Sequence, residues 1–278
     1  MDRIIPIKTI HLFPLLHDLL IDLLRSLEPA DWQKRTIAPL WTVKDIAAHL
    51  LDVNMRTIAT VNNYSGTSPQ NINSYTDLVN YLNELNNVWV RAMDRVSPQQ
   101  LIELMETTGR RHYQYLESLD PFAPAMFAVS WAGEEQSENW FHIAREYTEK
   151  WHHQQQIRDA VGKPGIMHYE LFYPCMDTFM QAMPYTYRNT VAAENTVIQI
   201  TISTPNGGTW YLHKQQAGWT LTKDTISGQP DASITITPDT AWKLFTKGMK
   251  PDIAMQSAYI NGDESLARVM LGTIAVMA

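Results

Sequence analysis

The chain has 278 residues, 45% of them hydrophobic and nine of them tryptophan, enough apolar material for a packed core and too much for a disordered chain. A formal net charge of -7 argues against binding to a nucleic-acid backbone and does not favour an anionic membrane surface. The single cysteine, Cys175, rules out an intramolecular disulfide framework and suits a reducing cytoplasm.

Residues 10–27 carry Leu15, Leu16, Leu19, Leu20, Leu23 and Leu24, a helical stripe that predicts a first core-facing helix. The same run contains His11, His17, Asp18 and Asp22, and it lacks a basic leader and a small-residue cleavage site. It therefore reads neither as an export signal nor as a membrane span. The next helix starts at Thr42, an N-cap with Asp45 at the third helical position, and Trp41 before the cap can pack on Ile46. Val43, Ile46, Ala47, Leu50, Val53 and Ile58 then face inward, with His49 at the flank of that stripe. A polar loop over residues 62–74 precedes a third helix over residues 75–96. Ser97-Pro98 opens another helical turn, with proline where a first turn tolerates it. Residues 120–137, with two prolines and Trp131-Ala132-Gly133, read as a loop. The helix that follows runs to about Val161 and stops at Gly162-Lys163-Pro164-Gly165, a strong terminator and a linker.

Beyond the linker one more helix is expected over residues 169–185. Residues 196–202 then alternate as a half-buried strand, and Asn206-Gly207-Gly208 turns a hairpin into residues 209–213. Residues 219–223 and 232–236 are further short strands; helices are expected over 239–247 and 264–276. The predicted organisation is a helical domain, 1–164, followed by a small α+β domain, 165–278.

The stretch of most chemical interest is residues 142–153. At about 100° per residue His142, Glu146, Glu149 and His153 fall at roughly 0°, 40°, 340° and 20°, within a wedge about 60° wide. Four metal-competent side chains thus point the same way. Glu149 and His153 form an i, i+4 pair able to grip one ion, and imidazole with carboxylate suits a borderline divalent metal such as zinc. His142 stands about 16 Å along the axis from His153, too far to share that ion. Glu146 is close enough to support the site. His152 is turned about 100° from His153 and faces elsewhere.

Trp41-Thr-Val-Lys-Asp-Ile-Ala-Ala-His49-Leu resembles the second-helix motif of the DinB-like superfamily, and more narrowly of the mycothiol-dependent maleylpyruvate isomerase family. Glu149-Lys-Trp-His-His153 with its polar run to Gly162 is similar to the Glu-x-x-x-His helix of that family. Residues 239–248 and Ile260-Asn-Gly-Asp resemble its sterol-carrier-like C-terminal module. The resemblance implies a DinB-like four-helix bundle followed by a small α+β sterol-carrier-like domain. It implies a divalent-metal site, with ligands falling on His49, Glu149 and His153. It also implies a low-molecular-weight thiol, such as mycothiol or bacillithiol, that serves isomerisation or S-transfer on an electrophilic substrate. One departure stands at Gln156, where the family often has Asp three residues after the second His.

Each candidate has a plainer reading. His49 alone is a hydrogen-bonded histidine at a helix flank; His142 and Glu146 belong to a polar interior. Trp131 either lids a pocket or packs in a core. Trp210, Trp219 and Trp242 are core aromatics, Cys175 an inert buried thiol, and Arg268 a solvated helix arginine rather than an anion contact. With one cysteine, a Cys-rich structural zinc site is excluded; three protein ligands and an open position suit a catalytic ion. The expected function is a zinc-dependent (or nickel-dependent), thiol-dependent transferase or isomerase. A hydrolase using metal-bound water and a non-catalytic protein stapled by its metal are the alternatives.

Overall fold

The helix starts at Val43, Tyr75 and Pro98 are set by side chains that satisfy the first backbone N–H groups. The computed structural model describes residues 3–62, 64, 72–224 and 228–277. Of the loop expected over residues 62–74, residues 63 and 65–71 lie outside the described residues. Helix α1 spans Phe13–Arg25 and α2 spans Val43–Val61. At the start of α2 Thr42 Oγ1 accepts from the Asp45 N–H, and Asp45 Oδ2 accepts from the Thr42 N–H at 2.8 Å, a reciprocal cap. Helix α3 covers Tyr75–Ala92 behind the Ser74 cap. Ser97 and Gln100 make a second reciprocal cap with Pro98 in the first turn, and α4 then runs over Pro98–Ser118, far beyond the single turn those residues announce. Helix α5 covers Asn139–Val161.

Contacts divide the chain into two compact units. One holds Thr9–Asp120 and Glu149–Gly165; the other holds the segment up to Lys8, Pro121–Thr148 and Ile166–Val276. Helix α5 thus gives its first turns to one unit and Glu149 onward to the other.

In the unit containing Thr9–Asp120, α1, α2, α4 and the second part of α5 build a helical bundle. Its core joins Leu20 and Leu24 of α1, Ile46 and Leu50 of α2, Leu101 and Met105 of α4, and Ile157 of α5. Each fully buried aliphatic side chain there contributes about 1.5–3 kcal/mol of transfer free energy. Helix α3 flanks α2, with Trp89 Nε1 donating to the Ala48 carbonyl at 2.8 Å. Leu15, expected on the buried stripe of α1, is exposed, because it lies one helical step from Leu16 and its direction falls outside the core-facing arc.

The other unit is α+β. Helices α6 (Tyr169–Met180) and α7 (Met183–Thr186) replace the one helix expected over residues 169–185; Pro184 lacks an N–H and suits only the first turn of α7. Strands β1 (Val197–Ile202), β2 (Gly208–Gln215), β3 (Gly218–Thr222), β4 (Ala232–Ile236) and β5 (Tyr259–Gly262) form one sheet in the order β3-β2-β1-β4-β5. Strand β1 is parallel to β4, and the other neighbours are antiparallel. The alternation read in residues 196–202 places Ile198, Ile200 and Ile202 in the core. Trp210 of β2 donates to Asp177 Oδ1 of α6 at 2.8 Å, and Phe179 of α6 meets Phe245 of α8 (Pro238–Phe245) edge to face.

Helix α9 (Pro251–Met255) precedes β5, which the sequence reading did not identify: it is four residues long and mostly exposed, too short for alternation to show. Its Gly262 has φ +78°, and a Cβ there would meet the Asp231 carbonyl oxygen at 2.2 Å. The last helix, α10, covers only Glu264–Val269 and gives way to a 3-10 turn, Met270–Gly272. The expected continuation to residue 276 is lost because the Ala275 N–H donates to the Phe245 carbonyl instead of a helical partner. Among the described residues no helix is long and apolar enough to cross a membrane.

Removing the cap that launches α2 tests this account. Thr42→Ala should destabilise the protein by about 1 kcal/mol, read as a lower midpoint with unchanged slope in urea unfolding followed by circular dichroism.

Candidate metal centre

Helix α2, set by its reciprocal cap, carries His49 just over one and a half turns in, and α5 presents Glu149 and His153 one turn apart. The three side chains converge: one donor atom from each lies within 4.8 Å of the other two. His153 Nε2 is 3.5 Å from Glu149 Oε2, and the His49 and His153 rings meet edge to face with centroids 4.7 Å apart. Tetrahedral zinc with bonds near 2.0–2.1 Å sets its ligand atoms about 3.3 Å apart. The His153–Glu149 pair already has that spacing, and the widest gap needs to close by about 1.5 Å.

Both histidines are held ready to donate a lone pair. His49 and His153 are each 7% exposed. Burial, reinforced by the adjacent His153 and opposed by Glu149, holds the His49 imidazole well below its usual titration range, so it is neutral at pH 7. His49 Nδ1 has no hydrogen-bond partner among the described residues. Such an orphaned buried nitrogen is costly unless something binds it. His153 Nδ1 lies 2.8 Å from Gln156 Oε1. Donation from Nδ1–H to that amide oxygen fixes the tautomer and leaves the Nε2 lone pair facing Glu149. Trp41 closes one side, its ring 4.9 Å from His49 and 6.1 Å from His153 between centroids. The donor set of two imidazoles and a carboxylate fits a divalent ion of the zinc type.

Gln156 and Trp41 are the site residues that sequence reasoning undervalued. Gln156 entered only as a departure from a motif, and Trp41 as a helix staple and the first residue of a motif, not as a wall of the site. The i, i+3 spacing of His153 and Gln156 on one helix was the available signal for the first.

The remaining candidates go elsewhere. His142 and Glu146 are buried and share Arg145, whose Nη2 donates to His142 Nδ1 at 2.8 Å and to Glu146 Oε1 at 2.7 Å. Among the described residues they do not join the His49 cluster. The His152 ring lies beside that of His153, tilted by 39° with centroids 3.9 Å apart, and supplies no donor to the set. Trp131 is packed against Phe141 and Phe179, so it is a core residue rather than a lid. Trp210, Trp219, Trp242 and Cys175 are buried, as expected. Arg268 pairs with Glu264 on its own helix.

A helical bundle with a two-histidine, one-glutamate cluster, in a chain that also builds a mixed-sheet unit, defines the class: a two-unit protein with a candidate metal centre. The family model described as the mycothiol maleylpyruvate isomerase N-terminal domain matches residues 13–158, and the chain belongs to that family. All three converging residues lie inside the match. Two crystal structures align with most of the chain. That of the mycothiol-dependent maleylpyruvate isomerase has 13% identity and a TM-score of 0.49, over 84% of this chain and 86% of that one. That of a mutant of the isomerase has 11% identity and a TM-score of 0.48, over 86% and 88%. The solution structure of sterol carrier protein domain 2 of Helicoverpa armigera aligns with 34% of this chain and 81% of its own, at 17% identity and a TM-score of 0.27. No curated protein is significantly similar in sequence.

Mass spectrometry of the purified protein should find about one equivalent of divalent metal, lost in His49→Ala and in His153→Ala. Gln156→Leu should keep the helical circular dichroism spectrum and weaken zinc binding about 10–100-fold, measured by competition with a chromogenic chelator.

Proposed function

We propose that the protein is a divalent-metal-dependent enzyme that uses a low-molecular-weight thiol to isomerise an electrophilic small molecule or to join the thiol sulfur to it as a thioether. The observation that carries this reading is the convergence of His49, Glu149 and His153 inside the region that matches the family. The metal is zinc, or nickel in its place, and the thiol is mycothiol or a relative such as bacillithiol. His49, Glu149 and His153 would hold the ion, which when bound lowers a thiol's pKa and supplies the sulfur as thiolate.

The chain's own residues divide the remaining work. Burial keeps His49 neutral, so protons do not compete for its lone pair near pH 7. Gln156 holds His153 in the tautomer that faces the site. Trp41 covers the two imidazoles and keeps water from that flank. The nucleophilic sulfur comes from outside the chain, because its one cysteine, Cys175, is fully buried in α6. In the isomerase form of the reaction, thiolate adds to a conjugated double bond and the electron pair moves onto the conjugated carbonyl. Rotation about the resulting single bond and reversal of the addition then release thiolate and the other geometric isomer. In the transferase form the thioether is released after protonation of carbon.

Calorimetry of zinc-loaded protein with mycothiol, and the visible spectrum of a cobalt-substituted form, test the reading. Saturable binding with a sulfur-to-cobalt charge-transfer band is expected, both absent in His153→Ala. Metal-loaded protein that binds neither mycothiol nor bacillithiol, and turns over ester or amide substrates without any thiol, would reassign the site to hydrolysis.

A further inference from the structure

Between helices α1, α2, α4 and α5 lies a pocket of about 30 Å³, partly open to solvent. Its wall has an apolar flank, Phe13, Leu16, Leu20 and Met105, and a polar part that includes Gln154 of α5 and Asn54 of α2. Gln154 follows His153 by one residue, so it is turned about 100° away from the cluster of His49, Glu149 and His153.

Gln154 defines what the pocket can hold. Its side chain is fully buried, and neither Nε2 nor Oε1 has a hydrogen-bond partner among the described residues. An amide out of water with its donor and its acceptor both unanswered is strongly unfavourable, so a fitting guest answers both. Lys150, which also lines the pocket, does not set the charge of that guest. Its ammonium donates to Asn54 Oδ1 at 2.6 Å and to the Leu50 carbonyl at 3.2 Å, and it lies in electrostatic contact with the buried Asp52 side chain. Asn54 is engaged as well, its Nδ2 donating to Thr108 Oγ1 at 3.2 Å. What is left to a guest is a neutral amide beside apolar side chains, and a molecule built the same way matches it. A primary carboxamide presents N–H and C=O on one edge, so it can exchange paired N–H···O bonds with the Gln154 amide while a short alkyl end rests on the apolar flank. A carboxylate or a ketone has no donor for Gln154 Oε1, and a carboxylate would also lose its hydration against apolar groups. Water can make the same hydrogen bonds but gains nothing from the apolar flank.

We propose that this pocket binds a small neutral primary carboxamide, acetamide in size, through paired hydrogen bonds to the Gln154 side chain. A water takes about 10–15 Å³ by the same measure of volume, so the pocket accepts an amide head the size of about two or three waters. The proposal does not depend on the reading of the His49, Glu149 and His153 cluster.

Acetamide titrated into the intact protein should shift the assigned side-chain amide signals of Gln154 saturably in proton–nitrogen correlation spectra. Over the same concentrations it should raise the Tm of the wild type. Acetone and acetate, matched in concentration and ionic strength, should do neither. Gln154→Leu should lose the rise while keeping the helical circular dichroism spectrum. Unmoved Gln154 signals, equal responses to acetamide and acetone, or an undiminished rise in Gln154→Leu each overturn the site. Should the variant fail to fold, the wild-type spectra decide: a saturable shift with acetamide and none with acetone supports the site, and any other pattern overturns it.

Discussion

Between Trp151 and Arg158, α5 carries two histidines, three glutamines and an arginine, and all of them are buried. Placing polar groups out of water is unfavourable unless each finds a partner, so this one segment constrains everything packed around it. Arg158 is answered by three carbonyls: Nη1 donates to those of Lys163 and Pro164, and Nη2 to that of Leu19 on α1. Those bonds tie the turn after α5 and the middle of α1 to the helix. They also leave room for no side chain at Gly165, where a Cβ would meet Arg158 Nη1 at 2.6 Å. His153 is answered by Gln156, whereas neither polar atom of Gln154 has a hydrogen-bond partner among the described residues.

The cluster of His49, Glu149 and His153 inherits its precision from that arrangement. Glu149 and His153 are one turn apart on a helix anchored at its end by Arg158, and His49 stands on a helix whose start is pinned by Thr42 and Asp45. Trp41 precedes that cap and reaches both imidazoles, so the turn that aims α2 also covers the site. Lys150 links the same two helices a step further round, bonding to Leu50 and Asn54. Rigid placement of this kind is what lets a site hold metal-ligating groups close together.

Much of the fold was legible locally. Caps at Thr42 and Ser97, the stop after Val161 and the alternation in residues 196–202 all rest on interactions between residues close in the chain, and the structure agrees with them. Failures came where distant partners decide. The strand β5 exists because β4 offers it an edge, not because four residues alternate. The last helix stops early because Phe245 captures the Ala275 N–H. Leu15 and Leu16 look alike in the sequence, yet only Leu16 faces neighbouring helices.

The residues alone dictate the helical and strand-forming segments, the family motif, and the shared face of Glu149 and His153, because helical periodicity places side chains four apart on one side. They also dictate that a metal would be met by imidazole and carboxylate rather than thiolate. Tertiary packing decided which of the four polar groups on that face meet His49, since convergence needs a second helix at a particular distance and angle. It sent His142 and Glu146 to Arg145, gave His153 its Gln156 partner, and buried Gln154. Burial, unlike periodicity, is a property of what surrounds a residue, and no local stretch of sequence contains it.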